Sequence, residues 1–405
     1  MIRVNNIHLS LDYDDKSVRK AVAQQLRIEE KAIKSVKIFR RSVDARKKDS
    51  IYFLTTVDAE LNINEEKVCK KCGNAQIARK YEYNQMKFGN APSPVVVGAG
   101  PAGLFAALIL ARSGAKPILI ERGRDVDRRT ADVNKFWTSG QLDTTSNVQF
   151  GEGGAGTFSD GKLNSGTKDI RQRKVLEEFV SHGAPDEILY NAKPHIGTDM
   201  LKGTIKNIRN EIIELGGRVM FETKLVSMAF SDNKLKAITV ETANGDEILE
   251  TDNVILAIGH SARDTFEMLY DLKLPIEAKP FSVGARIEHL RQKVDKAQYG
   301  RFAGNKKLGS ANYKLSTHLD NGRGVYTFCM CPGGKVVNAS SEENRLCTNG
   351  MSEFARNAEN SNSALLVGIN PDDYESDHPL AGMYLQRKLE SKAFVAGGEN
   401  YNAPI

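Results

Sequence analysis

The spacing Gly98-x-Gly100-x-x-Gly103 can bring a peptide backbone against a pyrophosphate. Gly98 permits the tight turn, Gly100 the close approach, and Gly103 the packing of the next helix on the preceding strand. Ala99, Pro101 and Ala102 complete the turn. A helix starting there turns its free N–H groups and partial positive charge on the phosphates. Glu121, 23 positions after Gly98, can accept hydrogen bonds from ribose hydroxyls. Its charge disfavours a 2′-phosphate, so NADP does not suit this site. The spacing leaves flavin and nicotinamide dinucleotides both open. A second glycine-dense loop, Gly151 to Lys162, contains Gly154, Gly156 and Thr157. It can cradle phosphate and a polyol through backbone N–H groups, with Lys162 as countercharge.

The cysteines and histidines offer further chemistry. Cys329-Met330-Cys331 runs into Pro332-Gly333-Gly334. A thiolate entering such a turn beside a cofactor can relay electrons, which makes Cys331 a catalytic candidate. Cys69-x-x-Cys72 has zinc-like spacing, yet no second pair follows it to close a four-ligand site. His195, ahead of Ile196-Gly197-Thr198-Asp199, stands at a helix entrance and is the second catalytic candidate. His260, His289 and His318 are weighed as acid–base groups and Arg286 as an anion holder. No Ser–His–Asp arrangement or metal cluster is discernible.

The elements that must position these residues can be read around them. Pro94–Val97 reads as a buried strand, Leu104–Ser113 as an apolar helix closed by Gly114, and Lys116–Ile120 as a second strand. This is a βαβ unit with parallel strands. Thr198 to Gly216 reads as a helix with Thr198 as N-cap. Arg218 to Leu249 reads as a strand meander turning at Asp232-Asn233 and Asn244-Gly245. Val254–Ile258 returns to the parallel sheet, and beyond Pro275 alternating strands suggest an antiparallel domain. Residues 1–88 read as a small α+β module with strands near 7–11, 35–42 and 51–57 and helices at 16–25 and from 65. Asn90-Ala91-Pro92-Ser93-Pro94 reads as the linker behind it.

Composition bounds the function. The 405 residues are 40% apolar and 27% charged, which excludes disordered and fibrous classes and leaves room for two or three domains. Net charge is +6, and residues 1–90 hold 19 basic against 12 acidic residues, so the whole excess lies in the first module. Such a module can meet nucleic acid, anionic lipid or an acidic partner, or simply present a solvated lysine-rich surface. An odd number of cysteines, five, fits a reducing compartment rather than a disulfide framework. The opening MIRVNNIHLSLDYDD lacks a signal peptide's apolar stretch, and no run reaches membrane-spanning length, so the expectation is a cytoplasmic protein.

The strings VVVGAGPAGLFAALILARSGAKPILIERG, NVQFGEGGAGTFSDGKLNS, KPHIGTD, NVILAIGHSARDTF, KPFSVGARIEH and MCPGGKVVNASSEENRLCTNGMS cover the chain broadly. With them it resembles FAD-dependent oxidoreductases with a glutathione-reductase-like Rossmann domain. More narrowly it is similar to a group of bacterial FAD-dependent dehydrogenases, most of them uncharacterised. The resemblance implies an α/β fold: a Rossmann-type FAD-binding domain (94–274), a mostly antiparallel substrate domain (275–370) and a return to the FAD domain (371–405), behind the N-terminal α+β module. It implies that Gly98, Gly100, Ala102 and Gly103 hold the FAD pyrophosphate, Glu121 the adenosine ribose, and Arg122 the adenine side. Gly154 to Thr157 would line the ribityl and flavin side, Val226 would meet the adenine through its backbone, and Ala257 and Gly259 would pass the pyrophosphate. A further family motif, a Gly-Asp or Gly-Glu-Gly turn before a flavin-facing helix, is absent, as is a second GxGxxG. The expectation is therefore a chain truncated at its C-terminal end that takes electrons from another molecule or from transient NAD(P)H. The reading is hydride transfer at the flavin on a small-molecule substrate. An RNA-modifying flavoenzyme gripping RNA with the basic module, and a non-catalytic dinucleotide sensor, are the alternatives.

Overall fold

The computed structural model of the chain describes residues 1–79, 81–88, 93–167 and 169–405. The linker read at 90–94 falls mostly outside them.

A four-stranded parallel sheet carries the βαβ unit. Its order is Val254–Leu256, Val95–Val97, Ile118–Ile120, Arg218–Met220. Each strand is only three residues long, and Val95–Val97 is wholly apolar and buried, as a strand covered on both faces must be. One face packs helices Pro101–Arg112 and Thr198–Glu214, joining Leu104, Ala107 and Leu108 to Leu201, Ile205, Ile208 and Ile212. The other face is covered by an antiparallel meander, Lys224–Ser231, Lys234–Thr242 and Gly245–Glu250, through Leu225, Met228, Ile238 and Val240. The meander turns where the sequence places its turns: Asp232 and Asn233 both take left-handed φ, as does Gly245.

The helix after His195 starts differently from the sequence reading. Gly197, with φ of 80°, is its N-cap, and Thr198 is its first residue. The Thr198 hydroxyl instead donates to the Thr157 carbonyl at 2.5 Å, tying the helix to the second glycine loop.

Residues 281–369 form an antiparallel sheet ordered Phe281–Leu290, Asn360–Ile369, Gly324–Cys331, Ser316–His318, with the small hairpin Lys335–Asn338 and Thr348–Met351 beside it. Helix Arg291–Tyr299, inside this region of strands, is absent from the sequence reading. Helix Ala381–Ala396 lies back against the helix Arg263–Asp271 of the parallel-sheet domain through Arg263–Glu390 (2.6 Å) and Arg387–Glu267 (2.5 Å). Tyr401 beyond it packs between Phe136 and Phe394.

The N-terminal module runs β-α-β-β-α-β, and its sheet orders the strands second, third, first, fourth: Ile33–Asp44, Tyr52–Leu61, Ile2–Leu9, Ala75–Ile77. This is the split βαβ, ferredoxin-like arrangement. Asp14 caps the helix Asp15–Leu26 and Asn64 caps Glu65–Lys71. The module shares a core with the rest of the chain through Val294, Tyr299, Leu308 and Met330.

Candidate cofactor site

A cavity of about 540 Å³ opens at the carboxyl ends of the parallel strands, where ligands of such sheets bind. Its wall begins at Glu121, Arg122 and Thr223 to Leu225, passes Gly98, Gly100 to Ala102 and Ala257 to Ser261, and ends at Gly154 to Gly156. Two segments distant in sequence thus face each other across the glycine turn.

The glycines are required by contact. A Cβ on Gly98 would overlap the Ala257 carbonyl, and one on Gly103 would overlap the Gly98 carbonyl. Gly98 has φ of 101°, a region that L side chains avoid. A Cβ on Gly154 would lie 3.0 Å from the Cα of Gly100, so the second glycine loop presses on the first. The helix Pro101–Arg112 starts from Gly100 with no side-chain cap. Its first-turn amides are left for a ligand.

Glu121 is buried and already bound. Its carboxylate accepts from the amides of Ala99 (2.8 Å), Gly123 (2.9 Å) and Gly151 (3.0 Å). A carboxylate accepts about four hydrogen bonds, so it braces both glycine loops and keeps room for about one more donor. Arg122 lies over the Phe150 ring at 4.5 Å and donates to Asp264 (2.7 Å) and the Thr265 hydroxyl (3.0 Å). Burial raises the pKa of Asp264, but Arg122 and Lys224 outweigh it and hold the carboxyl at about 2.

The second loop is built from below by a residue the sequence does not betray. Arg129, on the helix Val126–Ser139, is fully buried beneath the loop. It donates to the carbonyls of Asn147 (2.8 Å), Val148 (2.9 Å), Gly151 (3.2 Å) and Glu152 (2.6 Å). Burial lowers its pKa while Glu121 and Glu152 support its charge. Nothing local in a polar helix marks one arginine among several as the buried one. Gln149 and Phe266, also in the wall, went unread for the same reason.

Several expected roles land elsewhere. The amides of Glu152, Gly153 and Gly154 are spent on the carbonyls of Arg124, Ala99 and Gly151, so that part of the loop cannot cradle a ligand. Thr157 is buried behind the wall, its hydroxyl donating to the Glu152 carbonyl at 3.3 Å. Lys162 does not line the cavity. Its ammonium pairs with buried Asp160 at 3.3 Å and donates to Cys331 Sγ at 3.4 Å and Cys329 Sγ at 3.9 Å. Opposite charge and two sulfur acceptors hold it there. In the meander Leu225 and Lys224, not Val226, line the cavity. His195 also stands away from it, with Nε2 donating to the Phe354 carbonyl at 2.9 Å and its ring stacked on Phe354. Burial, then the nearby Arg356, lower its pKa and favour the neutral ring. His260 lines the wall beside Ser261. Arg286 donates to Asn362 Oδ1 (2.6 Å) and Asn349 Oδ1 (3.3 Å) in the antiparallel sheet. Among the described residues no group of His, Cys, Asp or Glu could hold a metal ion, and no helix is long and apolar enough to cross a membrane.

Residues 92–268 match the family model of pyridine nucleotide-disulphide oxidoreductases, and residues 280–405 match that of the FAD-dependent protein C-terminal domain. Residues 1–60 match a domain of unknown function. A protein of Clostridium beijerinckii, named only as uncharacterised, is 48% identical over 100% of this chain and 76% of its own length. The chain belongs to the same family as that protein, and its two matched segments are those of FAD-dependent and pyridine nucleotide-disulphide oxidoreductase models.

Among solved structures, Pseudomonas aeruginosa PqsL in complex with 2-aminobenzoylacetate is 12% identical, covering 76% of this chain and 71% of that one, at a TM-score of 0.34. A geranylgeranyl bacteriochlorophyll reductase-like protein of Thermoplasma acidophilum is 12% identical over 74% and 62%, at 0.33. The dinucleotide of this flavoprotein family suits the site on its own evidence. Two glycines admit no Cβ, a helix terminus lacks a cap, and a buried carboxylate stands at the end of the second strand. FAD is the cofactor, and the chain is an oxidoreductase by family.

Proposed function

We propose that the chain moves a hydride between FAD and a small-molecule substrate brought to it by the antiparallel sheet. The observation that carries the reading is the cavity at the strand ends, closed by two glycine loops and floored by Glu121. FAD, when bound, supplies two-electron hydride chemistry at its flavin ring. The chain's own residues bind and orient. Gly98, Gly100, Ala102 and Gly103 let the backbone and helix amides meet the pyrophosphate. Glu121 offers its remaining lone pair to the ribose, and Arg122, fixed by Asp264 and Phe150, borders the adenine side. Ala257 and Gly259 close the opposite wall. Gly154 and Gly156, with the open surface next to them, face the flavin side. Phe150 and Phe266 exclude water from the wall. The five free cysteines fit a reducing cytoplasm, and NAD(P)H suits the role of transient donor without a Rossmann domain of its own.

The test is anaerobic mixing of the FAD-loaded chain with NADH and with NADPH while the visible flavin band is followed. Bleaching by either supports hydride transfer from a nicotinamide. A band unchanged by both, though bleached by dithionite, would overturn NAD(P)H as donor.

A further inference from the structure

The strand Gly324–Cys331 breaks its register with Asn360–Ile369 between Phe328 and Cys331. At that bulge Cys329 takes a left-handed φ of 47°, rare for a residue with a side chain. The bulge turns two cysteines, two positions apart, towards one cation. Lys162 donates to both sulfurs, at 3.4 and 3.9 Å. Arg286 reaches the Cys329 carbonyl at 3.5 Å from the strand Phe281–Leu290, across the intervening Asn360–Ile369. Buried Asn362, whose Oδ1 accepts from Arg286, leaves its Nδ2 without a partner. Gly350 completes the pocket, since a Cβ there would press on Arg286, Asn362 and Cys331 Sγ together. Cys331 is fully buried and its thiol donates to the Cys329 carbonyl at 3.3 Å, while Cys329 keeps partial exposure.

We propose that Cys329 and Cys331 are a redox-active dithiol that reduces small-molecule disulfides, with Cys329 attacking and Cys331 resolving. The pair lies outside the segment matched by the pyridine nucleotide-disulphide model, and the inference does not rest on the flavin reading. Strained backbone, partial exposure and an adjacent ammonium are what a reactive thiol needs. A hydrogen bond between the Cys331 and Cys329 side chains, then Lys162 and Arg286, hold Cys329 below the usual thiol range against burial, which raises it. Cys331 is pushed up by sharing that bond, by burial and by the Asp160 charge, although Lys162 lowers it. The Cys329 thiolate attacks one sulfur of the disulfide, the S–S bond breaks, and one thiolate leaves. Cys331 then gives its proton to solvent and attacks Cys329 Sγ, and the second thiolate leaves. Two cysteine thiols are oxidised by two electrons, and the small disulfide gains them.

The experiment uses the full chain, with whatever flavin it holds, reduced with dithiothreitol, desalted and exposed to oxidised glutathione. After alkylation with iodoacetamide, the tryptic peptide 324–335, whose only cysteines are Cys329 and Cys331, is weighed. Loss of two hydrogens with neither thiol alkylated is expected. A peptide that keeps both thiols open to alkylation, or holds glutathione in a stable mixed disulfide, overturns the proposal. In Cys331→Ser the glutathione adduct should stay on Cys329. An adduct forming as fast on Cys331 in Cys329→Ser would overturn the division of roles. Lys162→Met should move the pH midpoint of Cys329 alkylation towards the free-thiol value of about 8.5. An unmoved midpoint removes Lys162 from the site.

Discussion

At the scale of single residues, Glu121 has the most specific task. Its carboxylate gathers one amide from each glycine loop and that of Gly123, and lines the cavity. Glu121→Gln keeps the shape and removes the charge, and its NH2 group must face an amide that needs an acceptor. A hydrogen bond to a charged group contributes about 1.5–3 kcal/mol. FAD affinity should therefore fall about ten- to hundredfold, as read by quenching of FAD fluorescence in a titration. Equal affinity would remove Glu121 from the site. The glycine spacing and Glu121 were legible in the sequence because each obeys a local rule of turn and helix end. Lys162 was not. Its partners Cys329 and Cys331 lie more than 160 residues away, and a lysine in a glycine loop reads equally well as a phosphate ligand.

At the scale of elements, the second glycine loop stands on Arg129. Four carbonyls converge on one buried guanidinium. Removing it leaves those acceptors buried and empty. Arg129→Met should cost about 3–5 kcal/mol of stability, read as a shifted urea midpoint, and should weaken FAD binding with it. A midpoint within error of the native chain would show that the loop holds itself. The strands of the βαβ unit and the meander were legible because apolar runs and paired turn residues act locally. Gly197 displaced Thr198 as N-cap because the Thr157 carbonyl, far off in sequence, claims the Thr198 hydroxyl. Helix Arg291–Tyr299 went unread because its polar sequence buries little beyond Val294 and Tyr299.

At the scale of the whole molecule, buried ion pairs join the parallel-sheet domain to the antiparallel one. Asp160 pairs with Arg356 and Lys162 and accepts from Ser352. Burial raises its pKa, but Arg356, Lys162 and Ser352 outweigh it and bring it below the ordinary 3.8. The ionised form thus favours the folded state. Its stabilisation is complete above that ordinary value and is lost as pH falls through the lower, folded value. Thermal scans below about pH 4 should show the native chain losing Tm more steeply than Asp160→Asn. Parallel curves would mean that the pair does not report folding. The antiparallel sheet of residues 281–369 was legible from strand alternation, and the N-terminal module was read from charge placement. The core they share around Met330 was not, because docking is decided by surfaces that no local pattern records. FAD held by the Gly98–Gly103 turn and Glu121, with the second glycine loop packed against them, is the arrangement to test. Its most direct measurement is a titration of FAD into this chain and into Gly103→Ala, with a thermal melt of each apo form. Saturable binding by the native chain, lost in a variant that still melts cooperatively, is the predicted result. Equal FAD binding by both, or none by either, would contradict it.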